Sequence, residues 1–192
     1  MRIANSSNYS EVPFEITTQD LAIIFDDLNL GIRMQMNIVG DIWDNEKWII
    51  QRVYRSSGKR KSFIQGVLYQ IDYLYHKTEI DNSLKEINEN AKEVGYNIEI
   101  AELIEDYEQI STYFKKMWIQ LKYLSKTGYT RAKLRTILKQ YGYKRRSTKF
   151  CDYFLKCLNH YGIYPYVKGE ICDIRTVSLN EMITFKILWK KN

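Results

Sequence analysis

The chain has 192 residues, 45% of them hydrophobic, with nine glycines and two prolines; this is enough apolar material to close a core and excludes a disordered or collagen-like chain. No run approaches the roughly 20 consecutive apolar residues that a membrane-spanning helix needs, and residues 1–16 lack the apolar stretch of a signal peptide, so a cytoplasmic protein without membrane contact is expected. Three cysteines, an odd number, argue for reduced thiols rather than a disulfide framework.

The net charge of +6 is distributed unevenly. Residues 109–151 hold twelve basic side chains and no acidic one, while residues 79–108 hold ten acidic side chains against Lys85 and Lys92. A solvated surface normally mixes both signs, so 43 consecutive residues without a carboxylate point to a surface suited to a polyanion.

In chain order, residues 15–29 read as a first helix, with Thr17 or Thr18 as cap and Leu21, Ile24, Phe25 and Leu28 at helical spacing. Residues 31–39 fit strand or helix. Residues 45–54 read as helix through Trp48, Ile49 and Val53. After a turn at Ser56, Ser57 and Gly58, another helix is expected from Ser62 to Tyr75, with Phe63, Val67, Ile71 and Leu74 on one side. Residues 82–94 read as a short helix ended by Gly95, and residues 96–100 as extended. Over residues 101–124 the apolar positions Leu103, Tyr107, Ile110, Phe114, Met117, Leu121 and Leu124 alternate at four- and three-residue spacing. That is a heptad seam, either the buried face of a core helix or the face of a homodimer.

The next segment carries the chemistry. Thr130 is placed to cap a helix with Leu134, Ile137, Leu138 and Tyr141 on one face, and Gly142 breaks it. A basic turn, Tyr143-Lys144-Arg145-Arg146, leads to Ser147, which caps a second helix presenting Phe150, Phe154, Leu158 and Tyr161 inward until Gly162. Residues 163–167 are extended and aromatic, Lys168-Gly169-Glu170 reads as a tip, residues 171–179 alternate imperfectly and residues 182–188 read as a closing strand. Over residues 101–189 this order resembles the winged helix-turn-helix family of DNA-binding domains. The resemblance implies a mainly α fold with a small β component. It places a helical region at residues 1–99 and a winged-helix domain, led by a long helix, at residues 100–192.

It also implies duplex DNA as partner and assigns the contacts. Arg145, Arg146, Ser147, Thr148, Lys149, Asp152, Tyr153 and Lys156 fall where such domains meet the groove, with Lys144 in the turn before them. Lys126, Arg131, Lys133 and Arg135 would hold flanking phosphates, and Lys168 would serve at the wing. A weaker echo at residues 45–76 repeats the pattern: Lys59, Arg60, Lys61 and Ser62 open a helix with Arg52 and Arg55 upstream, a candidate second DNA contact or an ordinary basic surface.

No catalytic motif is complete, and no cofactor or metal is expected. No Asp or Glu has Lys two positions later, as restriction-type nucleases require; there are only two histidines, His76 and His160; and Gly58-Lys59 lacks the glycine and hydroxyl of a P-loop. Cys151, Cys157, His160 and Cys172 match no common zinc spacing. The reading is therefore a DNA-binding regulatory or accessory protein, of a kind found in bacterial or phage mobile-element and defence systems. Two alternatives stand beside it. Sixteen tyrosines, several of them in the basic segment, fit a protein that stacks the bases of RNA or a single strand. A phage-encoded inhibitor docking on a nucleic-acid-handling protein fits the charge alone.

Overall fold

The structure, a computed structural model, describes residues 14–75 and 110–188. The chain divides into two compact units, Met1–Tyr107 and Glu108–Asn192. The described residues are mainly helical, with one small antiparallel sheet of four strands. The helix expected at residues 82–94, the extended residues 96–100, the boundary at 99/100, and Leu103 and Tyr107 of the seam lie outside the described residues.

In the N-terminal unit α1 (Thr18–Asp27) opens with a reciprocal capping box. The Thr17 hydroxyl accepts the Asp20 N–H at 3.0 Å and the Asp20 carboxylate accepts the Thr17 N–H at 2.8 Å. Residues 31–39, open between strand and helix in the sequence, belong to α2 (Ile32–Asn45), which buries Ile38, Val39, Ile42 and Trp43. The single helix expected over 45–54 does not form. A short 3-10 turn (Lys47–Ile49) runs into extended Ile50, which bridges Ile16, and α3 (Arg52–Ser57) follows. The cause is a long-range grip: Ile16 donates to Ile49 O at 2.7 Å and accepts from the Gln51 N–H at 3.0 Å. Both Ile49 and Ile50 are thereby buried at 0% exposure. The last helix here, α4 (Arg60–Tyr75), starts two residues before Ser62 and buries Phe63, Val67 and Ile71. Gly66 lets α4 pass close to its neighbours: a Cβ there would stand 2.9 Å from the Tyr54 hydroxyl and 3.0 Å from Thr18 Cγ2, so those side chains would have to shift.

In the C-terminal unit α5 (Ile110–Ile119) widens into a π-helical turn (Gln120–Leu124). Of the heptad seam, Ile110, Phe114, Met117 and Leu121 are buried in this chain, so those four side chains are already engaged in a core. Next comes β1 (Tyr129–Lys133), where the sequence suggested the start of a helix: Thr130 is no cap but a strand residue facing Phe185, and α6 (Leu134–Gln140) begins only after Lys133. Five residues whose strand partners lie 49 to 57 positions away carry no local signal that outweighs a Thr-led helical pattern.

The C-terminal end of α6 is a Schellman motif. Gly142 takes a left-handed φ of 71°, its N–H donates to Lys139 O at 3.3 Å, and the Tyr143 N–H donates to Leu138 O at 2.9 Å. As expected, the Ser147 hydroxyl caps α7 (Thr148–His160) by accepting the Phe150 N–H at 3.1 Å, and left-handed Gly162 follows its end. The strands β2 (Ile163–Val167), β3 (Glu170–Ile171) and β4 (Met182–Ile187) complete a sheet of order β1-β4-β2-β3. Lys168 and Gly169, at φ 51° and 94°, form the two-residue turn between β2 and β3 that needs left-handed backbone at both positions. The expected strand over 171–179 is mostly loop: only Glu170 and Ile171 pair with β2, and residues 172–181 travel without strand pairing to β4. Phe154 is the centre of this core. Its ring meets Phe114 of α5 edge-on at 4.7 Å, Phe150 at 5.5 Å and Phe185 of β4 at 6.3 Å, tying helices to sheet.

Candidate nucleic-acid interface

Amphipathicity decides which side of α7 is available. Phe150, Phe154 and Leu158, with Cys151, Cys157 and Tyr161, are buried. Thr148, Lys149 and Lys156 are exposed on the other side, and Lys144 and Arg145 are exposed in the turn leading to it. Within α7, positions 148/149, 152 and 156 recur at helical spacing and form one stripe. Its one carboxylate, Asp152, is paired: the Arg175 guanidinium donates to Asp152 Oδ1 at 2.9 Å, and that bond raises the arginine's pKa further. Arg175 went unnoticed in the sequence, because nothing local announces a partner 23 residues away.

Three expected groove contacts are engaged elsewhere. Arg146 is half-buried and its guanidinium donates to Ile174 O at 3.3 Å and also to Val177 O, so it fastens the 172–181 loop. Tyr153 is half-buried with its hydroxyl bonded to Ser111 of α5, and burial raises its pKa. Ser147 is half-buried, its oxygen engaged by the helix cap. The same loop accepts the Arg135 N–H of α6 on Leu179 O at 3.0 Å. Residues 172–181 are thus tied to the first turn of α6, to the turn before α7 and to Asp152 within α7, and Ile174 is buried at 0% exposure.

The expected phosphate contacts separate into two layers. Ring contact between Phe154 and Phe185 fixes the helix-facing side of the sheet. Side chains alternate along strands, so Arg131 and Lys133 lie on the opposite side, in register with Thr184 and Met182. Both are exposed there, away from α7; Lys168 is exposed at the β2–β3 turn. Lys126 is exposed in the loop before β1, and Arg135 on α6. Lys115, one of the twelve basic residues of the acid-free segment, is only 5% exposed and contributes no surface charge.

The N-terminal basic cluster is compensated by its own unit. Arg55 pairs with Glu15 and donates to Trp48 O at 3.3 Å. Arg60 holds both oxygens of Asp44, at 3.1 and 3.2 Å. Arg52, Lys59 and Lys61 are exposed. Residues 14–75 carry seven basic and eight acidic side chains, against sixteen and four over residues 110–188.

All three thiols are raised above the ordinary range, in each case chiefly by burial. Burial pushes Cys157 up to about 12 and raises Cys151 as well, despite the nearby Arg146 and Arg175. Among the described residues, no three His, Cys, Asp or Glu side chains gather as a metal ion would require, and no helix is long and apolar enough to cross a membrane. Comparison of the chain with protein-family models, with curated proteins and with solved structures finds no match.

Proposed function

We propose that the C-terminal unit is a winged helix-turn-helix and that the chain binds duplex DNA through it, as a cytoplasmic regulatory or accessory protein of a bacterial or phage mobile-element or defence system. The order helix, strand, helix, helix, strand, strand, strand, with the first strand paired to the last, supports the fold reading. One observation carries the functional reading: exposed Lys144 and Arg145 lead into an exposed helix stripe of Thr148, Lys149 and Lys156 whose one carboxylate, Asp152, is paired with Arg175, with Asp173 of the loop beside that pair.

In this reading α7 enters the major groove. Arg145 and Lys149 meet guanine edges or phosphates, Thr148 donates to a phosphate or base, and Lys156 holds the backbone farther along. Lys168 meets the neighbouring backbone from its turn. Arg146 is a positioning residue, holding the 172–181 loop against α7. Fluorescence anisotropy with labelled duplex DNA tests the assignment. Lys149→Ala and Arg145→Ala should each weaken binding by about 1–3 kcal/mol where a bidentate guanine contact is lost, with an unchanged melting temperature. Duplex affinity indifferent to both substitutions would remove α7 as the contacting helix.

A further inference from the structure

The outward side of the sheet has a composition that the duplex reading does not use. Alternation about Phe185 and Ile183 sends Lys186, Thr184 and Met182 of β4 outward. Tyr129, Arg131 and Lys133 stand beside them on β1, and Tyr164 and Tyr166 on β2. Tyr129, Lys186 and Tyr164 make one row across three strands, and Arg131, Thr184 and Tyr166 make the next. Neighbouring strands lie about 4.8 Å apart and successive rows about 6.8 Å apart. Tyr164 is 39% exposed, Arg131 and Lys133 are exposed, and Tyr129, Tyr166 and Lys186 are half-buried. The cations lie over the rings, Arg131 4.9 Å from the Tyr129 centroid and Lys186 5.1 Å from that of Tyr166, which keeps both cations and rings spread on the sheet surface.

We propose that this face is a second nucleic-acid site, one that takes an unpaired polynucleotide strand, with bases stacked on Tyr129, Tyr164 and Tyr166 and phosphates held by Arg131, Lys133 and Lys186. Two features of the face select this occupant. Its three cations share the surface with no carboxylate from the paired residues of β1, β4 and β2, and Glu170 of β3 pairs with Val167, on the other side of the alternation from Tyr166, which suits a polyanion. Its tyrosines offer ring surface that bases inside a duplex cannot reach and unpaired bases can, whatever their sequence. The site is distinct from α7, which lies on the other side of the sheet. A chain with both faces occupied would hold paired and unpaired nucleic acid together, as at a junction or an opened end.

The experiment uses the full chain with labelled (dT)15, (U)15 and a duplex of equal length. Tyr164→Ala should weaken both single strands roughly tenfold, the order typical of one lost base–aromatic stack, and leave the duplex unchanged, whereas Tyr164→Phe keeps the ring and the affinity. Lys149→Ala should do the reverse, weakening only the duplex, so failure of the α7 reading and failure of this one are separable. Arg131→Gln with Lys186→Gln should flatten the single-strand salt slope by about 1.4, from about 0.7 per phosphate; this variant leaves the tyrosines in place and decides the matter if Tyr164→Ala lowers the melting temperature. The proposal is overturned if Tyr164→Ala binds the single strands normally, if Tyr164→Phe is as weak as Tyr164→Ala, or if polyglutamate competes as well as (dT)15 at equal charge.

Discussion

Residues 59–62, Lys-Arg-Lys-Ser, and residues 144–147, Lys-Arg-Arg-Ser, are almost the same words in two places, and each stands at the start of a helix with a phenylalanine core. Their surroundings differ. Around the first, Glu15 and Asp44 reach in from other elements and pair with Arg55 and Arg60. Around the second, Asp152 is paired with Arg175 from the loop, and Arg146 bonds to backbone carbonyls. Lys144, Arg145 and Lys149 have no carboxylate partner among the described residues. A basic motif reads a polyanion only where the rest of the fold leaves its charge uncompensated, and that balance is set by residues up to 40 positions away. The comparison can be pressed from both sides.

The largest effect tests the core beneath the second motif. Phe154→Ala should destabilise the C-terminal unit by about 3–5 kcal/mol, the usual cost of a buried Phe, because three rings from α5, α7 and β4 lose their common neighbour. Thermal unfolding followed by near-UV circular dichroism checks this, and a change below about 1 kcal/mol would mean that the helices and sheet do not share this core.

The next effect comes from pH. Cys157 is raised to about 12 by burial, whereas a thiol in the unfolded chain ionises near ~8.5. The folded unit keeps protons that the unfolded chain releases, so its contribution is intact below about pH 8.5 and is lost as pH rises from there toward 12, by a few kcal/mol at most. Denaturant titrations between pH 8 and 10.5 should show stability falling, and Cys157→Ala should flatten that fall while lowering stability at neutral pH. An equal slope in the variant would assign the alkaline loss to other groups.

Arg146 and Lys149 separate holding from reading. Arg146→Ala removes a charged donor from two loop carbonyls and should cost about 1.5–3 kcal/mol of stability, with faster proteolysis within residues 172–181. Lys149→Ala should leave stability alone and weaken duplex binding. On the N-terminal side, Arg52→Ala with Lys61→Ala should change duplex binding by less than about 0.5 kcal/mol, the range of surface substitutions away from a contact. A loss equal to that of Lys149→Ala would make residues 45–76 a second reading surface after all.

What could be read from the sequence follows the reach of each interaction. Ser147 as cap, Gly142 and Gly162 as stops, and the inward Phe150, Phe154 and Leu158 are set within four residues of one another, and they appear where the local pattern places them. The strand β1, the Ile16–Ile50 bridge and the loop clamp of Arg146 depend on partners 28 to more than 50 positions away, and each overrode a plausible local reading. The candidate site divides the same way. The exposed stripe of α7 is visible in the helical period, whereas the assignment of Arg131 and Lys133 to the far side of the sheet needed the register with β4.

The smallest expected effect sharpens the comparison most, because it changes one carboxylate on each side without touching a cation. Asp152→Asn releases Arg175 on the α7 stripe and Asp44→Asn releases Arg60 at the start of α4. Both pairs are exposed, so neither change should move the melting temperature measurably. If the α7 stripe meets phosphates as proposed, removing the negative charge there should strengthen duplex binding by about twofold for Asp152→Asn, with the gain shrinking as salt rises. Asp44→Asn should leave duplex affinity where it was, because one more exposed guanidinium is of no use on a face that does not meet DNA. If the two substitutions strengthen binding equally, the N-terminal motif is a contact held in check by its own acid, and the difference between the two regions is one of charge compensation rather than of function. If Asp152→Asn weakens binding instead, the carboxylate is itself part of the reading, accepting from a cytosine amino group in the groove.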